Sequence, residues 1–184
     1  MKHYINNINL NPPYPEDNKK IIFGMGCFWG AERLFWQIEG VYVTVAGYSG
    51  GSKENPSYEE VCSGITNHAE VVLVVYDPKK VVLEDLLKVF WENHDPTQYM
   101  RQGNDIGSQY RSTIYIYDDE DYTLCNKSKF KYENILKNVG YGEIKTEIEF
   151  HKNFYIAEEY HQQYLAKIPN GYCNHGFCQA EYKK

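Results

Sequence analysis

Nowhere in the 184 residues do about 18 apolar residues run together, so no segment has the pattern of a membrane-spanning helix. The stretch 1–20 likewise lacks the apolar run of a signal peptide and carries Pro12, Pro13, Pro15 and several Asn instead. A cytoplasmic location, away from any membrane, is therefore expected. No cluster of Lys and Arg interrupts the net charge of −6, which argues against a nucleic-acid partner. There is no internal repeat and no low-complexity tract. Cysteines number only five, an odd count that leaves at least one unpaired. In a reducing compartment they read as free, catalytic or metal-binding thiols rather than a disulfide frame.

What is present suits one domain with a sizeable core: 42% hydrophobic residues and 16% aromatic, including 18 Tyr. Residues 1–19 read as an irregular N-terminal arm, and 20–25 (KIIFGM) as a short buried strand ended by Gly24 and Gly26. From Cys27, apolar positions at Phe28, Ala31, Leu34, Phe35 and Ile38 follow helical spacing until Gly40. Strands are predicted at 41–48, 68–76, 110–117 and 144–150, and helices at 83–91, 119–137 and 157–166. Residues 52–66 and 95–108 read as loops, and 169–184 as a flexible tail following a main domain of 20–168. The order strand–helix–strand–strand–helix–strand up to residue 117 predicts an α+β fold. It would be a two-layer sandwich with a ferredoxin-like (split βαβ) core, a mixed or antiparallel sheet and an irregular C-terminal tail.

Three stretches carry chemistry. In Gly24-Met25-Gly26-Cys27-Phe28-Trp29-Gly30, a cysteine stands at the end of a strand and the first turn of a helix. The positive end of the helix dipole there favours thiolate. The glycines allow a sharp turn and substrate approach, and Phe28 and Trp29 offer an apolar wall for a thioether or methyl group. An inert cysteine buried in a tight turn would fit the same position. The tail Gly171-Tyr172-Cys173-Asn174-His175-Gly176-Phe177-Cys178 supplies two further thiols. One can condense with a sulfenic acid and the other can exchange the resulting disulfide onward. A zinc site from Cys173, His175 and Cys178 falls short of the usual ligand spacing. Glu70, at the start of the most apolar strand, would if desolvated be able to donate a proton near neutral pH, while an ordinary strand-end carboxylate in water fits the same position. Tyr58 and Tyr110 are not distinguishable from core tyrosines by position alone.

Six motifs stand in order along the chain: GCFWG at 26–30, GYSGG at 47–51, NPSYEEVCSG at 55–64, NHAEVV at 67–72, QGNDIGSQYRS at 102–112 and AEEYHQQYL at 157–165. Together they resemble the methionine-S-sulfoxide reductase (MsrA) family over residues 20–168. The resemblance implies an α+β sandwich and thiol-dependent reduction of free or protein-bound methionine S-sulfoxide. It implies Cys27 as nucleophile, Phe28 and Trp29 around the substrate methyl, and Glu70 as proton donor to the sulfoxide oxygen. Tyr58 and Tyr110 would hydrogen-bond that oxygen, and Asp105 would hold the substrate backbone. Cys173 and then Cys178 would be the resolving cysteines, with thioredoxin as external reductant, no metal or organic cofactor, and a monomeric protein. Asn67 stands where the family often has Gly, with little consequence expected. Cys62 is expected to be a buried structural thiol, Cys125 to be incidental, and Glu158, Tyr160 and His161 to serve packing. A thiol peroxidase would also need a reactive cysteine and a resolver, but the aromatic pair after Cys27 and the acid Glu70 favour a sulfoxide. A purely metal-binding module or a structural protein fits the cysteines less well.

Overall fold

Along strand β1 (Lys19–Met25) successive side chains point to opposite sheet faces, and both sets are apolar. Ile21, Phe23 and Met25 enter one core while Ile22 enters another. The whole fold is built on that two-sided demand. The structure, a computed structural model describing residues 1–176 and 179–183, continues through helix α1 (Phe28–Trp36), strand β2 (Val41–Ser49) and a short helix α2 (Tyr58–Cys62). Strand β3 (Ala69–Tyr76) and helix α3 (Leu83–Glu92) follow, then a small hairpin of β4 (Arg101–Gln102) and β5 (Asp105–Ile106). A 3-10 turn at Ser108–Tyr110 leads into β6 (Ser112–Ile116), helix α4 (Asp119–Asn138), β7 (Glu147–Phe150), β8 (Tyr155–Ile156) and helix α5 (Tyr164–Lys167).

Six strands form one sheet in the order β7-β6-β1-β3-β2-β8. Every neighbouring pair is antiparallel except β6 and β7, so the sheet is mixed. Helices α1, α3 and α4 cover one face, where Phe28, Ala31, Phe35, Leu86, Phe90, Trp91, Tyr132 and Leu136 pack on β1 and β3. The chain is thus an α+β sandwich with a mixed sheet, as read from the sequence. On the other face Val43, Val45, Val71, Leu73 and Val75 lie beneath Leu10, Ile8, Tyr14, Phe154 and Ile156. With both faces covered, β3 is buried along its full length. That is why its sequence is continuously apolar instead of alternating. No helix among the described residues is long and apolar enough to cross a membrane.

Several expectations need correction. The N-terminal arm is irregular, with one bridge between Lys2 and Asn9, but it is packed: Leu10 and His3 are buried against the sheet. The loop 52–66 contains α2, whose Ser57 and Glu60 form a capping box. The loop 95–108 contains the β4–β5 hairpin. The helix expected at 157–166 shrinks to four residues, because its side chains compete for the backbone. Gln162 accepts from the Ala46 amide (2.9 Å) and donates to the Ala46 and Ala157 carbonyls (2.8 and 2.9 Å). Gln163 adopts a left-handed conformation at φ 47°. Cys125 is fully buried in the core face of α4 rather than incidental. The described tail is docked: Tyr172, Asn174 and His175 all hydrogen-bond to the main body, and Tyr182 is buried against α3 and α4.

Candidate active site

Antiparallel pairing of β1 with β3 sets the C-terminal end of one strand beside the N-terminal end of the other. That register brings Cys27, the residue preceding α1, next to Glu70 on β3. The Glu70 carboxylate accepts a hydrogen bond from the Phe28 amide at 3.1 Å. Gly26, at φ +93°, makes the turn, and a Cβ there would press on the Gln102 side chain at 2.9 Å. Cys27 is only 7% exposed and Glu70 only 2%.

Burial pushes the Glu70 carboxyl up to about 8, with the Phe28 amide opposing and the Asp105 charge adding to the rise. The desolvated carboxyl expected at Glu70 is therefore present. The thiolate read from the helix dipole is not. Amides of Trp29 and Gly30 do point at the Cys27 sulfur and favour its charged form. Burial outweighs them, and the neighbouring Glu70 charge adds to it, so the thiol is held well above its ordinary range. Cys27 and Glu70 are thus two neighbouring desolvated groups, each held toward its protonated form by burial.

Around the pair, Tyr58 opens α2 and Tyr110 closes the 3-10 turn. Burial, and after it charges including that of Glu70, hold both phenols above their usual range. Phe28 packs on Tyr48 and His161, with ring centroids 5.8 and 4.9 Å away. Trp29 stacks on Tyr164 at 3.9 Å and donates from Nε1 to His161 Nδ1 at 3.0 Å. Behind these rings, Glu158 accepts from the Tyr48 hydroxyl (2.7 Å) and the Tyr58 amide (2.9 Å). Glu158 and His161 are thus the backing of the aromatic wall, a larger part than packing. The 157–165 motif was the signal for them, but their reach to Trp29 and Tyr48 was not readable along one chain. Cys62 is half-buried rather than buried, at the edge of this cluster beside the Tyr58 hydroxyl. Asn67 adopts φ 55°, a left-handed conformation that Asn tolerates better than most residues. That is the physical reason Gly and Asn can exchange there.

The tail lies across this site. Asp105 accepts from the Tyr172 hydroxyl (3.1 Å to each oxygen) and from Asn174 Nδ2 (2.8 Å). His175 Nε2 donates to the Met25 carbonyl at 2.7 Å, and Arg33 donates to the Cys173 sulfur at 3.1 Å. A Cβ on Gly30 would collide with both His175 and Cys173. The second glycine of GCFWG is therefore the floor on which the tail rests. A surface cavity of about 590 Å³ lies instead between the N-terminal arm and Phe154, and includes none of the candidate site residues. Cys178 lies outside the described residues. Among the described residues no group of three or more His, Cys, Asp or Glu is placed to hold a metal ion.

The profile of the family described as Peptide methionine sulfoxide reductase matches residues 19–184. The chain belongs to that family. A Brucella anthropi protein named Peptide methionine sulfoxide reductase MsrA is 61% identical over 171 residues, covering 93% of this chain and 78% of that protein. The solved methionine sulfoxide reductase A of Corynebacterium diphtheriae superposes with a TM-score of 0.88 at 42% identity, covering 95% of this chain and 84% of the other. Reduced Mxr1 of Saccharomyces cerevisiae gives a TM-score of 0.82 at 36% identity, covering 94% and 96%. Mxr1 in complex with Trx2 gives 0.60 at 28% identity, covering 85% and 91%.

Proposed function

We propose that this protein reduces methionine S-sulfoxide, free or within oxidised proteins, with Cys27 as nucleophile and Glu70 as the acid. The observation that carries the reading is the desolvated Cys27–Glu70 pair, a thiol and a carboxyl whose proton is held near neutral pH. A sulfoxide sulfur accepts a nucleophile only when its oxygen is protonated or strongly hydrogen-bonded. Glu70 gives its proton to the sulfoxide oxygen as the Cys27 sulfur attacks the sulfoxide sulfur, and the Cys27 thiol proton replaces it on Glu70. The S–O bond then breaks with transfer of the hydroxyl to Cys27, giving methionine and a Cys27 sulfenic acid. Tyr58 and Tyr110 donate to the oxygen as charge grows on it, a device in which one donor is worth about 3 kcal/mol. Phe28 and Trp29 receive the methyl group. Asp105 holds the substrate backbone once Tyr172 and Asn174 give it up.

Cys173 condenses with the sulfenic acid, and Cys178 exchanges with the disulfide so formed. Thioredoxin supplies the electrons, a reading supported by the solved pairing of the relative Mxr1 with Trx2. No resident metal or prosthetic group takes part in these steps, and the protein acts as a monomer in the cytoplasm. The test is steady-state turnover with reduced thioredoxin and each separated epimer of a methionine sulfoxide peptide. Turnover of the S epimer alone, abolished by Cys27→Ser, is expected. Turnover of neither epimer, with consumption of hydroperoxide instead, would make the protein a thiol peroxidase.

A further inference from the structure

The tail brings to α1 a side chain that the scheme above leaves unused. His175 donates from Nε2 to the Met25 carbonyl, which makes Nε2 the protonated nitrogen. Its Nδ1 therefore presents a lone pair, and that atom is sealed from solvent with no hydrogen-bond partner. A buried acceptor left unsatisfied costs roughly 1–3 kcal/mol and is uncommon in a folded chain. Nδ1 points at the same spot as the Cys173 sulfur: both converge on the position that a Gly30 side chain would fill. From the other side, the Arg33 guanidinium donates to that sulfur at 3.1 Å. Gly30 and Arg33 follow Cys27 at intervals of three residues on α1, so they lie along one side of the helix from the nucleophile outward.

We propose that His175 is the general base that deprotonates Cys173 for its attack on oxidised Cys27, and that Arg33 holds the thiolate so formed. The inference rests on the reading of Cys173 as the resolving thiol. His175 Nδ1 removes the Cys173 proton, and the Cys173 sulfur attacks the Cys27 sulfenic sulfur. The S–S bond forms as the S–O bond breaks, and the imidazolium returns its proton to the departing hydroxide as water. The Cys27 sulfur is reduced and the Cys173 sulfur oxidised by one electron each. Burial, with a smaller contribution from the Arg33 charge, holds the imidazole down at about 4, so the ring is neutral and its Nδ1 lone pair free throughout the neutral range. The Met25 hydrogen bond works in the opposite direction. The other ionisable groups close by are His94, held neutral by burial, and Asp105 through its bonds to Tyr172 and Asn174. Thiolate and imidazolium form together, so each offsets the other's charge.

The experiment is a quenched single turnover of the full chain with an S-sulfoxide peptide. It follows methionine release and, by mass mapping of non-reduced peptides, the Cys27–Cys173 disulfide. His175→Gln can keep a donor to the Met25 carbonyl while removing the base, and Arg33→Gln removes the cation. In both, the rate of disulfide formation relative to methionine release should fall about 100-fold at pH 7. In His175→Gln the disulfide step should also gain a steep rise with pH that wild type lacks. An unchanged ratio in His175→Gln, or both rates falling in step, would overturn the role of His175. A disulfide from Cys27 to a different cysteine would overturn the resolver reading, and this inference with it.

Discussion

Burial of Glu70 holds its carboxyl at about 8 against an ordinary 4.5, so the folded state binds its proton more tightly than the unfolded chain does. Stability from this group is complete below about pH 4.5, is lost as pH rises towards 8, and stays at its lower level above that. Glu70→Gln keeps an acceptor for the Phe28 amide and removes the cost of ionisation. Its stability gain over wild type should be near zero at pH 4, grow by at most ~1.4 kcal/mol per pH unit, and level off above pH 8. Thermal unfolding at pH 4, 6 and 8.5 checks this, and a gain that is constant across the series would contradict the burial account. Cys27 and Glu70 were legible as a pair because each sits where a strand meets a Gly-framed turn or an apolar run. The protonation of Cys27 was not legible. The dipole is a property of one helix, whereas the burial that outweighs it comes from residues far away in the chain. Arg33 and His175 escaped for the same reason: the hydrogen bond between Arg33 and Cys173 spans 140 residues.

At the scale of elements, Glu32 ties four segments together. It is fully buried on the core side of α1 and accepts from the Thr44 hydroxyl (3.0 Å), the Gln163 amide (2.7 Å) and Gln163 Nε2 (2.5 Å). Thr44 in turn meets His3 at 3.2 Å, and the Gln163 side chain accepts from the Tyr4 amide at 2.8 Å. One carboxyl thereby joins α1, β2, the N-terminal arm and the segment carrying His161. Glu32→Ala would strand the buried Gln163 amide and remove the shorter bonds made by Gln163 Nε2 and the Thr44 hydroxyl, and should cost about 3 kcal/mol, read by denaturant unfolding. A loss under about 0.5 kcal/mol would mean the network is not holding the segments. Long elements such as β3, α3 and α4 were legible because their burial is one-sided or complete and their periodicity is sustained. The 157–166 segment was misread as a helix because its apolar spacing is helical, while Gln162 and Gln163 satisfy backbone groups that a helix would have used. The short α2 was read as loop because it lies inside a polar stretch; the capping pair of Ser57 and Glu60 was its one local signal.

At the scale of the whole molecule, the sheet sets Cys27 and Glu70 together at the ends of its strands, and the tail returns across them. Gly30 leaves the space in which Cys173 and His175 lie, and Asp105 is engaged by Tyr172 and Asn174. On the proposed mechanism, substrate and tail would use this one surface in turn. The motifs of the resemblance meet in one place in the fold, but the docking of the tail depends on contacts that no single motif contains. The central claim is that the buried Glu70 proton drives sulfoxide cleavage by Cys27. It is tested most directly by rapid-quench single turnover of the S epimer from pH 6 to 9, in wild type and Glu70→Gln, with methionine and oxidised Cys27 counted. The expected result is at least one methionine per Cys27 in wild type, with an inflection near pH 8. In Glu70→Gln the rate should be about 100-fold lower at pH 7, with that inflection gone. Equal rates in the two proteins, with the same dependence on pH, would contradict the account.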